Sequence, residues 1–363
     1  MTKSVRHVVT VVICLCCFLC ARIVLAQTES AVAIAELTQP QFNVMGFGDI
    51  GYTARDSTDE GGFFVGQAVA HLSASLGQSL SVFGEFTLTA RDSEYAASVE
   101  RLIVKYEFSD LFKLSGGRYH SPIGYWNSAF HHGAWLQTTV SRPEMMKFGS
   151  QIVPIHFVGA LLEGSLPQNK LGLSYLAGFG NGRHENISQA GDSGDINGEN
   201  AWMVQINASP QQFFGLKTGI GFYTDRVSPE NQPEVDEKTF SAYVVWARES
   251  PEVIVEYVHS NHQLTNDGSV SGDVNGWYAQ FAYRLGGKYR NWKPYARYES
   301  NQIDDSDPLL GNRGLEYEGL ILGVRWDFNP YAAVKVEYRN EEFDNGGRED
   351  NFRLQVSFVL ANI

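Results

Sequence analysis

Histidine is the side chain with the most chemistry to offer here, and it is unevenly placed. His120, His131, His132 and His156 fall in one short part of the chain. Imidazole is the commonest side-chain ligand for zinc, copper and nickel. One reading is therefore a divalent metal or a haem held by these four. The other is that they hydrogen-bond a folded segment to its surroundings. Their spacing matches no defined zinc motif, because His131 and His132 are adjacent and need not face the same way. The same stretch carries Arg118, Tyr119, Tyr125, Trp126, Asn127, Gln137 and Arg142. Groups of this kind, with Arg101, Lys105, Arg297, Arg325 and Arg339 from elsewhere, can line a water-filled passage. His120-Ser121 and the His259/His262 pair have neither nucleophile-elbow nor metalloprotease spacing. No enzyme is expected. All four cysteines, Cys14, Cys16, Cys17 and Cys20, lie in the first 26 residues, which excludes thiol chemistry from the rest.

The elements that must position these groups are strands. After Gln41 the chain alternates apolar with polar or small residues almost everywhere. Phe352, Leu354, Val356, Phe358 and Leu360 alternate with Arg353, Gln355, Ser357 and Val359. Trp202, Val204, Ile206 and Ala208 alternate with Met203, Gln205 and Asn207. One apolar and one wet face per strand is the signature of a membrane barrel with lipid outside and water inside. About 16 such segments can be counted. They lie near 41–53, 63–76, 79–90, 97–108, 111–120, 153–166, 170–180, 199–208, 213–224, 238–248, 252–262, 274–286, 291–300, 315–328, 331–341 and 351–361. Every second connection is expected to be short, as at Gly77-Gln78, Ser109-Asp110 and Asn329-Pro330. The others read as long and polar, as at 181–198, 225–237, 263–273, 301–314 and 342–350. The expected fold class is all-β: a transmembrane antiparallel β-barrel with short periplasmic turns and long extracellular loops.

Lys3 and Arg6 precede the apolar run Val8 to Leu19, and Val24-Leu25-Ala26 offers a cleavage site. Residues 1–26 therefore read as a secretory signal peptide, 27–40 as a short periplasmic leader, and 41–363 as the barrel. The formal charge of -13 becomes more negative without Lys3, Arg6 and Arg22, which argues against a nucleic-acid partner. No segment after the leader approaches 20 consecutive apolar residues, so helical spans are not expected. On the polar faces, Arg101, Lys105, Lys217, Arg284, Lys293, Arg297, Arg325, Lys335, Arg339 and Arg353 oppose Asp49, Glu85, Glu163, Glu256, Glu299, Asp327 and Glu337. Facing rings of opposite sign would set up a transverse field, and a basic excess would favour anions. Simple solvation of a wet lumen is the alternative.

The longest break in alternation runs from Gly117 to about 152. Its run Gly117-Arg118 to Pro122-Ile123-Gly124 resembles the glycine-basic-proline-glycine element of the phosphate-selective porin O/P-like proteins. The wider block through Arg142-Pro143 to Pro154 and His156 is similar to one in uncharacterised outer-membrane proteins. The motif covers about 45 residues, and over the rest of the chain the likeness is architectural. The resemblance implies a porin-like channel whose third external loop folds inward as the constriction. The phosphate channels rely on loop lysines and stacked arginines, and here only Arg118, Arg142 and Lys147 are available. The expected function is passive diffusion of small polar or anionic solutes across the outer membrane of a Gram-negative-type cell. A metal- or haem-handling barrel is the alternative. The expected partners are outer-membrane lipid, lipopolysaccharide and, as a homotrimer, further copies of the chain. Phe358 is in phase for the aromatic end of the last strand, but Val359 to Ile363 follow it.

Overall fold

The computed structural model describes residues 40–55, 61–91, 94–130, 132–167, 170–344 and 346–361. The expected signal peptide, the leader up to residue 39, and His131 lie outside the described residues. The first eight strands are β1 (Gln41–Arg55), β2 (Gly62–Leu76), β3 (Leu80–Arg91), β4 (Glu94–Ser109), β5 (Phe112–His120), β6 (His156–Ser165), β7 (Ser174–Asn181) and β8 (Ala201–Ala208). The second eight are β9 (Leu216–Val227), β10 (Val235–Ala247), β11 (Glu252–Leu264), β12 (Ser271–Ala282), β13 (Trp292–Ile303), β14 (Tyr317–Asn329), β15 (Ala332–Phe343) and β16 (Arg348–Ala361). Each strand pairs antiparallel with its chain neighbours. β1 closes on β16 from Met45↔Ala361 to Arg55↔Asn351. Closure pairs every ladder and leaves no free sheet edge, the condition for a sheet to cross lipid.

The alternation decides which way each side chain points, because successive Cβ atoms of a strand leave opposite faces. In β16, Asn351, Gln355 and Ser357 are buried toward the lumen, while Phe352, Phe358 and Leu360 are exposed on the outside. β8 and β9 present Trp202, Val204, Ile206, Ile220 and Phe222 outward in the same way. Trp292 and Trp326 stack with ring centroids 5.4 Å apart, in an aromatic group that includes Phe328. Interface girdles are built this way. Among the described residues no helix is long and apolar enough to cross a membrane.

The strict short–long alternation of connections is not found. The turns at 77–79, 110–111 and 330–331 are short, but 209–215 and 283–291 at the same end are longer. At the other end, β15 and β16 stay paired out to Glu342↔Arg348, so the expected long loop at 342–350 shrinks to 344–347. Polar composition marked exposure to water there, and paired backbone satisfies its hydrogen bonds as well as a loop does.

Two regularities of the wall are broken where the site lies. First, β4 carries a bulge: Glu85 pairs with Arg101 but Phe86 with Val99, so Glu100 is the extra residue. Val99 and Leu102 both face outward, and Glu100 is buried with Arg101 beside it on the inside. A bulge re-aims side chains in this way. Second, the β5–β6 connection, 121–155, does not leave the barrel but packs into its lumen.

Candidate functional site

The inward loop is held by the side chains of the opposite wall. Its apolar residues Ile123, Trp126, Met145, Met146, Ile152 and Val153 pack on Val245, Ile254, Val258 and Tyr278, which β10 to β12 turn inward. Trp126 lies edge-on to Tyr278 at 6.0 Å in the short helix α1 (Trp126–Phe130). Charged residues do the rest. The Glu256 carboxylate of β11 accepts the backbone N–H groups of Tyr125 and Trp126. Glu337 of β15 accepts those of Val140 and Ser141 at 2.9 and 3.1 Å, and Glu299 of β13 accepts that of Glu144. Bases answer from the same wall. Arg297 donates to the Ser141 and Arg142 carbonyls, Arg325 to those of Trp135 and Gln137, and Lys335 to those of Ala134 and Thr139. Hydrogen bonds to charged groups contribute about 1.5–3 kcal/mol each, twice the neutral value. Gly124 bends the chain at φ +77°, and a Cβ there would sit 2.3 Å from the Glu256 carboxylate.

Between the loop and the β15–β16–β1–β2 wall a cavity of about 570 Å³ remains. It is lined by Asp49, Arg55 and Gln67 of β1 and β2, by Arg339, Glu341, Glu349, Asn351, Arg353 and Gln355 of β15 and β16, and by Gln137, Arg142, Glu144 and Lys147 of the loop. Several of these charges pair: Arg339 with Glu341 at 2.6 Å, Arg55 with Glu349 at 3.6 Å, and Lys147 with Glu144. Asp49 accepts from the Gln67 N–H and the Gln355 amide at 3.0 Å each. The Arg142 guanidinium lies over the Phe148 ring at 3.4 Å.

A second cluster sits at the neck of the loop, where β4, β5 and β6 meet. His120 ends β5, His156 opens β6, and the two are cross-strand partners. His132 comes from the loop, and the β4 bulge supplies Glu100. Glu100 Oε2 lies 2.9 Å from His156 Nε2 and 3.2 Å from His132 Nε2. The His120 ring is 5.4 Å from that of His132 and 5.5 Å from that of His156. Burial pulls the His132 imidazole below its ordinary pKa range, and Glu100 beside it works in the opposite direction.

The residues expected to line the passage divide between these settings. Gln137, Arg142 and Arg339 line the cavity. Trp126, Tyr119 and Asn127 do not: all three are buried. Asn127 donates to the Ser121 and Ile155 carbonyls at 2.7 and 2.8 Å and so closes the neck of the loop, while the Tyr119 hydroxyl donates to Ser115. Tyr125 is half-buried, with its ring 5.6 Å from that of Tyr243. Arg297 and Arg325 are taken up by loop carbonyls. Arg101 pairs with Glu85 at 2.6 Å and Lys105 with Glu163 at 2.5 Å, both across the β3–β6 wall. Arg118 pairs with Asp192 at 2.8 Å and donates to the Glu100 carbonyl, which ties it to the 182–200 connection. Of the expected metal group, His120, His132 and His156 are brought together, and His131 lies outside the described residues. Sequence reasoning missed Glu100. The signal was present, since two successive charges in an alternating strand would put one in lipid, and a bulge avoids that.

No protein-family model matches the chain, and no curated protein sequence matches it. Solved structures do. An anion-selective porin from Comamonas acidovorans superposes with a TM-score of 0.62 at 10% identity, over 89% of this chain and 100% of that one. OmpT in its trimer form, an outer membrane protein of Vibrio cholerae, gives 0.59 at 14% identity, over 88% and 99%. The outer membrane channel DcaP of Acinetobacter baumannii gives 0.56 at 10% identity, over 88% and 97%. At such identities the likeness is one of fold: this chain has the closed antiparallel barrel, here of 16 strands, that these outer-membrane proteins share.

Proposed function

We propose that the chain is an outer-membrane diffusion channel for small polar solutes with a bias toward anions. On this reading solutes pass between the inward loop and the β15–β16–β1–β2 wall. The cavity there carries the proposal: five basic residues, Arg55, Arg142, Lys147, Arg339 and Arg353, stand against four acids, Asp49, Glu144, Glu341 and Glu349. Three of the acids, Glu144, Glu341 and Glu349, sit in pairs with Lys147, Arg339 and Arg55, and over the whole lining the bases outnumber the acids by one. That basic excess along the passage favours a passing anion. Location in the outer membrane is supported by the apolar exterior of the barrel and by the shared fold. A homotrimer is supported by the trimer form of OmpT. The test is a planar bilayer with a salt gradient across it. Discrete conductance steps and an anion-selective reversal potential are expected. Cation preference would overturn the bias, and a folded barrel without conductance would overturn the channel.

A further inference from the structure

We infer that Glu100, His120, His132 and His156 bind one divalent transition-metal ion of the zinc class, and that this ion clamps the inward loop to the barrel wall. One candidate ligand atom from each residue lies within 4.8 Å of all the others. A tetrahedral site with bonds near 2.0–2.1 Å needs ligand atoms roughly 3.3 Å apart, so the group must contract by about 1.5 Å at its widest. His132, on the loop, is the ligand best placed to move. The other three sit on strands of the barrel wall.

The donor types fit this class of ion. Three imidazoles and one carboxylate suit zinc, copper or nickel, whereas magnesium and calcium take oxygen ligands. The supporting shell is built as well. Glu100 Oε1 accepts from Thr87 Oγ1 at 3.1 Å and Ser98 Oγ at 2.5 Å, which turns Oε2 toward the histidines. Gln67 Nε2 donates to Thr89 Oγ1, which orients the amide so that its Oε1 accepts from His132 Nδ1 at 3.0 Å. With Nδ1 so engaged, Nε2 of His132 faces a Glu100 carboxylate oxygen 3.2 Å away. A proton or a metal ion can bridge two atoms so placed. Glu85 stands 3.1 Å from His120 Nε2 and is itself held by Arg101. Carboxylate and amide partners of this kind orient metal-bound imidazoles and raise their basicity.

The experiment uses the whole folded barrel in detergent, stripped with a chelator and titrated with zinc chloride by calorimetry. Excess magnesium occupies the acidic surface loops. One zinc per chain is expected. Glu100→Gln and His156→Gln should each weaken binding by more than about 100-fold, and Gln67→Leu by about 10-fold, since outer partners are worth 10–100-fold. Binding that magnesium displaces, or that Glu100→Gln leaves unchanged, overturns the site. Should the variants not fold, cobalt added to the unaltered barrel decides: intense tetrahedral visible bands are expected, and weak octahedral bands overturn the proposal. The clamp is read by hydrogen exchange over 121–155, which zinc should slow, and unchanged exchange overturns it. None of these readouts needs a conducting pore, so they stand or fall apart from the channel reading.

Discussion

Two halves of one lumen wall, built by the same alternation, put their charges to opposite uses. On β11 to β15, Glu256, Arg297, Lys335 and Glu337 are almost wholly removed from solvent. They bind backbone groups of the inward loop. On β15, β16 and β1, Arg339, Arg353, Asp49 and Arg55 border open space. Residue type does not distinguish the halves, since both offer carboxylates and guanidinium groups at lumen-facing positions. What distinguishes them is whether the loop lies on top. A charged barrel wall is thus a fixing surface where a segment covers it and, on the proposed channel reading, a selectivity surface where nothing does. The transverse field expected from rings of opposite charge is reduced accordingly, because the covered half has spent its charges.

The largest effect should come from removing the cover. Deleting 123–140 exposes Lys335, Arg325 and Glu256 to water, where they are solvated again, and leaves every strand pairing intact. Conductance should rise severalfold in a barrel that still shows heat-modifiable migration. Equal conductance would mean that the current does not pass beside the loop.

Next comes a single stitch. Glu337→Gln takes the charge from a buried carboxylate that accepts from Val140, Ser141 and the Tyr295 hydroxyl. Losing one partner of a buried charge network costs about 3–5 kcal/mol. Hydrogen exchange over 134–142 should quicken and the open-channel current should become noisier. The matched change on the open half, Glu349→Gln, should stay within about 0.5 kcal/mol. Equal effects of the two would erase the distinction between the halves.

How much of this was legible in the sequence follows from what each feature depends on. Strand number and facing follow from a local period of two, so all 16 strands could be read. The inward loop could be read from its lack of that period and its rings, Tyr125, Trp126, Phe130 and Trp135. The partners of the wall charges could not. Arg297 meets Ser141 and Arg142 about 155 residues away in the chain, and no local pattern encodes that pairing. The histidines were visible as a cluster, but their carboxylate came from a bulge that strict alternation conceals. The 342–350 stretch misled in the other direction, since Glu342, Phe343 and Arg348 to Asp350 are strand.

The smallest expected effect is also the most direct comparison of the halves: Arg353→Gln against Arg297→Gln and Arg118→Gln. Arg353 borders the cavity, so losing its charge should move the reversal potential toward cation preference. Charges bordering water are screened over about 10 Å at 0.1 M salt and about 3 Å at 1 M. The shift should therefore be clear in dilute salt and fade in concentrated salt. Arg297 is 1% exposed and bound to the loop, so its removal should loosen the loop more than it changes selectivity. Arg118 is paired with Asp192 beside the 182–200 connection, and its loss should leave the reversal potential where it was. A selectivity change for Arg118→Gln as large as that for Arg353→Gln would place the conducting path along the β4–β6 wall instead, past the histidine cluster.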